Sequence, residues 1–157
     1  MNRSTLLLKL SLLSDPRLLC AVRAAMGEVA GIFGFRDAEV RSIVLAVDEA
    51  LANVIRHAYK GALDRPIHIS FYRVPARARG GGKDALKIQI VDQGVPLEPG
   101  RLVGRALDDI KPGGLGLHFI REIMDSVTFR HVGGRNYLRL IKSPTQAKPS
   151  GTQEEES

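Results

Sequence analysis

The sequence predicts an α+β fold, a two-layer sandwich in which helices pack on one face of a mixed sheet. Three observations carry that prediction. Apolar and polar residues alternate near the N-terminus, in the middle and near the C-terminus of the chain, the mark of half-buried strands. Two long stretches with helical spacing separate the first strand from the second, and a shorter one follows the third. The resulting order, β-α-α-β-β-α-β-β, suits a layer of helices against one sheet face.

The elements follow in chain order. Leu6, Leu8, Leu10 and Leu12 alternate with Leu7, Lys9 and Ser11, so a strand is expected over about residues 4–10. Asp15 and Pro16 stand where a helix N-cap and first helical residue belong. Leu18, Leu19, Val22, Met26 and Val29 then carry a helix to about Gly31–Gly34. A second helix is expected from a cap at Asp37 to about Tyr59, with Val40, Ile43, Val47, Leu51, Val54 and Ala58 on its apolar stripe. Ile67, Ile69 and Phe71 mark one strand, and Leu86, Ile88 and Ile90 the next. Asp92 to Gly116 is a long Pro- and Gly-rich connection with room for a short helix at Leu102–Leu107. A third helix over Leu115–Met124 and a hairpin of Val127–Val132 with Tyr137–Ile141 complete the fold. Residues 1–142 read as one domain. Residues 143–157 lack apolar periodicity and read as a disordered tail.

Composition narrows the function. The 157 residues suffice for one real core. Cys20, the single cysteine, can form no internal disulfide and no cysteine cluster for a metal, which suits a reducing cytosol. Lys9 breaks the N-terminal apolar run and Asp15-Pro16 follows it, against a signal peptide. No stretch approaches the roughly 20 apolar residues of a membrane span. A cytoplasmic protein without membrane contact is therefore expected. The net charge is +6; the tail holds Lys148 against Glu154, Glu155 and Glu156, a balance of −2, which leaves +8 on residues 1–142. The basic residues are scattered. Even Arg73, Arg77, Arg79 and Lys83, around Gly80–Gly82, read as a solvated loop, and nucleic acid is not expected as a partner.

Three motifs carry chemistry. Glu49 and Asn53 lie four apart on the second helix and share one face. A carboxamide oxygen is a hard neutral ligand suited to Mg²⁺, and the carboxylate beside it can take a proton from a hydroxyl attacking phosphate. An exposed polar helix edge would look the same. Asp92-Gln93-Gly94 ends an apolar strand: the acid can accept from an exocyclic amine such as adenine's, and Gly94 admits close approach to a planar ring. A plain turn also reads that way. Lys111-Pro112-Gly113-Gly114-Leu115-Gly116-Leu117 runs into a helix, so backbone amides and the helix N-terminus can hold phosphates, unless the glycines are only a hinge. Walker-type and eukaryotic-type kinase signatures do not occur in the sequence.

Together, in this order, the motifs resemble the ATPase superfamily of gyrase, histidine kinases and MutL, with its Bergerat fold. Within it the chain is similar to the serine-kinase anti-sigma factors of bacteria over about Leu6 to Lys142. The similarity rests on Val47–Tyr59, Asp92–Pro99 and Gly113–Leu117, and on Ile120–Asp125 and Gly134–Leu138 downstream. The resemblance implies a kinase that uses ATP and Mg²⁺, with Glu49 as catalytic base and Asn53 as metal ligand. It implies Asp92 as adenine contact, Gly94 as the floor under the base, and Gly113, Gly114, Leu115, Gly116 and Leu117 around the phosphates. It further implies a STAS-domain antagonist as substrate, a sigma factor as sequestered partner, and a homodimer. Pro96 stands where the superfamily often has a second glycine, so the local loop shape departs from the pattern. A histidine kinase would need a phospho-accepting histidine on a dimerisation helix. None of His57, His68, His118 and His131 lies on such a helix, and His57, although near the site, reads first as a packed or solvated helix residue. A switch kinase that never binds sigma, and a module that binds ATP without transferring phosphate, remain the alternatives.

Overall fold

The computed structural model describes residues 3–97 and 114–146. The described elements are β1 (Thr5–Leu13), α1 (Leu19–Ile32), α2 (Asp37–Asn53), β2 (Pro66–Val74), β3 (Ala85–Asp92), α3 (Gly114–Ile123), β4 (Ser126–Val132) and β5 (Arg135–Lys142). The α+β class and element order hold. Gly113 and the expected helix at Leu102–Leu107 lie outside the described residues, as does the tail beyond Gln146.

The five strands stand in the order β1-β2-β3-β5-β4. Every neighbouring pair is antiparallel, where a mixed sheet was expected. The cause is the placement of β5. The crossover from β3 through α3 brings β4 back parallel to β3, but one position too far out. The tight turn at Gly133-Gly134 then folds β5 into the gap, antiparallel to both. Both glycines have positive φ, which suits a two-residue hairpin turn whose twist matches its strands.

The helices cover one sheet face. Ile69, Phe71, Ile88, Ile90 and Leu140 point up from the sheet with no exposure and meet Met26 of α1, Ile43 and Leu51 of α2, and Ile120 of α3. Each such side chain contributes about 1.5–3 kcal/mol through burial. α2 lies between α1 and α3 and is the central helix of the layer. Among the described residues, no helix is long and apolar enough to cross a membrane.

Local chemistry sets the helix ends. The Asp15 carboxylate accepts from the Arg17 amide at 2.9 Å, as a cap should, but the first turn, Pro16–Leu18, is a 3-10 turn before α1 begins. Asp37, expected as a cap, is instead the first residue of α2. Arg36 occupies the cap position, and Glu39 reaches back to its amide at 2.8 Å, the return half of a capping box. At its other end α2 passes into one π turn, Val54–Ala58, closed by the Tyr59 amide on the Val54 carbonyl at 2.9 Å.

The fold also runs past the expected boundary at Lys142. The Ser143 amide and hydroxyl donate to Asp125 at 2.8 and 2.7 Å. The Thr145 amide donates to Glu39 at 3.0 Å, and its hydroxyl bonds the same carboxylate. Residues 143–146 thus form a strap from the α3–β4 junction to the start of α2.

Candidate functional site

α2 presents Glu49 and Asn53 on one half-buried face, as the four-residue spacing predicts. A guanidinium nitrogen of Arg56 lies 3.4 Å from Glu49 Oε1 and 3.5 Å from Asn53 Oδ1, beyond good hydrogen-bond length but within Coulombic reach. The two oxygens therefore converge on one cationic centre. Among the described residues no group of three His, Cys, Asp or Glu side chains could hold a metal alone. The donor set suits Mg²⁺, which takes few protein oxygens and completes its shell with water and phosphate.

α3 closes on this pair. Gly116 is buried, and a Cβ there would overlap the Glu49 carboxylate. Glycine at this position leaves the Glu49 carboxylate room against the α3 N-terminal turn, so the third motif delivers its helix terminus to the acid of the first.

The π turn shapes the next part of the site. The Ala58 carbonyl accepts from the Val95 amide at 2.9 Å, and a Cβ at Gly94 would run into that carbonyl group. Gly94 thus serves close docking of the β3 end onto the helix. Tyr59 ties the same corner together: its hydroxyl donates to the Pro66 carbonyl at 2.5 Å and accepts from the Gln93 amide at 2.8 Å. Single π turns are rare and frequent at functional sites, because they re-aim the side chains around them.

Between these parts lies a cavity of about 240 Å³. Asn53, Asp92 and Leu117, one from each motif, reach its wall, and Val95, Phe129 and Leu138 make it largely apolar. His57 also lines it, so that residue borders the site rather than packing elsewhere. Glu49 lies beside the cavity, in a shallower depression shared with Gly116 and His118.

Asp92 is 5% exposed. Its Oδ1 accepts from the Gly94 amide at 2.8 Å and from Asn136 Nδ2 at 2.7 Å. Burial raises its pKa, opposed by those two hydrogen bonds and by the nearby His131. Its other oxygen has no hydrogen bond to the described protein and is left for a donor in the cavity.

Residues 12–142 match the family described as the histidine kinase-like ATPase domain. The chain belongs to that family. It is 28% identical over 103 residues to the serine/threonine-protein kinase BtrW of Bordetella bronchiseptica, covering 63% of this chain and 67% of the relative. It is also 28% identical over 125 residues to the serine-protein kinase RsbW of Bacillus cereus, covering 74% of this chain and 72% of that one. The crystal structure of the RsbU and RsbW domains of Rv1364c from Mycobacterium tuberculosis has the same fold. It superposes with a TM-score of 0.60 at 17% identity, over 87% of this chain and 31% of that longer one. Similarity to named serine kinases thus agrees with the resemblance carried by the motifs.

In this histidine kinase-like domain, Asn136 has a part in the site that the three motifs do not assign to it. It is 2% exposed and bonds both Asp92 and the Gly94 carbonyl, the latter at 3.0 Å. The available signal was a polar residue on the core-facing parity of β5, in phase with Leu138 and Leu140. Its meaning depends on β5 pairing with β3, which periodicity does not reveal.

Proposed function

We propose that the chain is an ATP-dependent serine kinase of the anti-sigma-factor type. One observation carries the reading: a buried acid at the end of β3, with one unbonded oxygen, faces an apolar cavity that Asn53 of α2 also lines, with Glu49 of the same helix beside it. That layout suits a nucleotide with its base at Asp92 and its phosphates toward Asn53 and the α3 N-terminus. Asp92 accepts from the exocyclic amine. The Asn53 oxygen would hold Mg²⁺, and the α3 terminus at Gly116 and Leu117 faces the phosphate end, to which the motif resemblance adds Gly113, Gly114 and Leu115. Mg-ATP, when bound, supplies the phosphoryl group and neutralises its charge. Glu49 takes the proton from the serine hydroxyl as its oxygen bonds the γ-phosphorus and ADP departs. Catalysis is then mostly positioning and electrostatics.

The motif resemblance to serine-kinase anti-sigma factors implies a STAS-domain antagonist as substrate and a sigma factor as the sequestered protein, and similarity to a named serine-protein kinase supports transfer to serine. Leu6, Leu13 and Leu18, exposed along the β1 edge and the turn after it, support a homodimer. We place the protein in the cytoplasm, with neither nucleic acid nor membrane as partner.

Calorimetric titration with Mg-ATP, paired with a transfer assay on a STAS protein, tests the mechanism. Glu49→Ala is expected to bind Mg-ATP nearly as wild type while transfer falls about 10²–10⁴-fold. Wild-type transfer by this variant would leave an ATP-gated binding module as the better reading. Asn53→Ala is expected to lose Mg²⁺-dependent binding as well as transfer.

A further inference from the structure

Sheet register places Asp92, Asn136 and His131 in one row across β3, β5 and β4. The three are joined side chain to side chain. Asn136 Nδ2 donates one proton to Asp92 Oδ1 at 2.7 Å and the other to the Gly94 carbonyl at 3.0 Å. Asn136 Oδ1 lies 2.8 Å from His131 Nδ1. Reversing the amide would aim Oδ1 at two acceptors, so its orientation is determined. Its oxygen then faces His131, and two acceptors cannot share a 2.8 Å contact, so Nδ1 of His131 must carry the proton.

From this row we infer that His131 is a positioning residue for nucleotide selection. It does not line the cavity and acts through Asn136. The inference rests on the nucleotide reading given above. By holding Asn136 Oδ1, His131 keeps the amide donors on Asp92 and Gly94. Asp92 Oδ1 is thereby filled by two N–H groups, and only its other oxygen remains for the ligand. In the carboxylate form that oxygen is a pure acceptor, which selects a 6-amino purine and rejects a 6-oxo purine that presents an acceptor. Protonation of the imidazole leaves Nδ1–H in place, so selection does not require neutral His131.

The test uses an isosteric pair. His131→Gln can turn a donor toward Asn136 Oδ1, whereas His131→Glu offers only acceptors and drives the amide to reverse. Titration calorimetry with Mg-ATP and Mg-ITP gives the selectivity of each protein. The Gln variant is expected to keep the wild-type ratio, and the Glu variant to lose about tenfold of it, mostly through weaker ATP binding. Should the Glu variant fail to fold, His131→Phe, which removes the donor without adding charge, is expected to lose about threefold. An unchanged ratio in a folded Glu or Phe variant overturns the inference. Nitrogen chemical shifts of His131 in the nucleotide-free wild type provide an independent check: Nδ1–H is expected, and an Nε2–H tautomer overturns the network. A wild type that binds neither nucleotide removes the nucleotide reading and the selectivity with it, while the tautomer still decides the hydrogen bonds.

Discussion

Gly94 and Gly116 have opposite consequences when given a side chain. At Gly94 a new Cβ meets the backbone of Ala58, which cannot yield without moving the π turn. Gly94→Ala is therefore expected to destabilise by about 1–3 kcal/mol, seen in urea unfolding. At Gly116 the new methyl meets the end of the Glu49 side chain, which can swing away. Gly116→Ala is expected to change the melting temperature little and to cut phosphoryl transfer sharply, with Mg-ATP binding measured alongside. Asp92 separates stability from function in the same way. Because burial raises its pKa in the fold, its charged form is disfavoured there, and stability falls as pH rises from the unfolded pKa through the folded one. Asp92→Asn should accordingly melt higher than wild type at neutral pH while ATP affinity drops about ten- to hundredfold. The gain in melting temperature should shrink as the pH is lowered and the wild-type carboxyl protonates.

At the scale of elements, the strap after β5 changes where the domain ends. Partial desolvation pushes the Glu39 carboxyl up, but bonds from the Thr145 hydroxyl, the Arg36 amide and the Thr145 amide outweigh it and hold the pKa at about 2. A depressed carboxylate stabilises above its unfolded pKa, near 4.5, and loses that contribution as pH falls toward 2. Truncation after Gln146 should leave the melting temperature unchanged. Truncation after Lys142 should lower it by about 2–5 °C at pH 7, and the difference should fade between those two pH values. Differential scanning calorimetry of the two truncations across that range decides the matter. Helix boundaries are legible to within a residue or two, because capping and periodicity are local, except where a 3-10 turn at Pro16–Leu18 precedes α1 and a π turn at Val54–Ala58 follows α2. The cap of α2 was misplaced by one residue, since Arg36 gains its status from the Glu39 side chain and not from its own. The π turn was invisible in an unbroken helical pattern, because one extra residue per turn is set by what Ala58 and Tyr59 dock against.

For the whole molecule, the helix layer covers one side of the sheet and β1 forms its outer edge, where Leu13 is 51% exposed. Leu13→Lys is expected to weaken self-association in sedimentation velocity without changing Mg-ATP affinity. A mutant sedimenting as wild type would place the dimer elsewhere. The sequence by itself determined the fold class, the eight elements in their order, and the residue types of three motifs, because each is written in spacings of two to seven residues. It also carried enough of the Glu49–Asn53, Asp92 and Gly116–Leu117 pattern to single out the candidate site that the fold brings together. Tertiary structure alone decided that β5 enters between β3 and β4, making the sheet antiparallel, that Gly94 answers to Ala58, and that His131 and Asn136 complete Asp92. Those outcomes depend on groups far apart in the chain, β3 and β5 partners from Asp92↔Asn136 to Leu86↔Lys142 among them, and register between distant strands is settled by the packing of one shared core, which short-range periodicity does not encode.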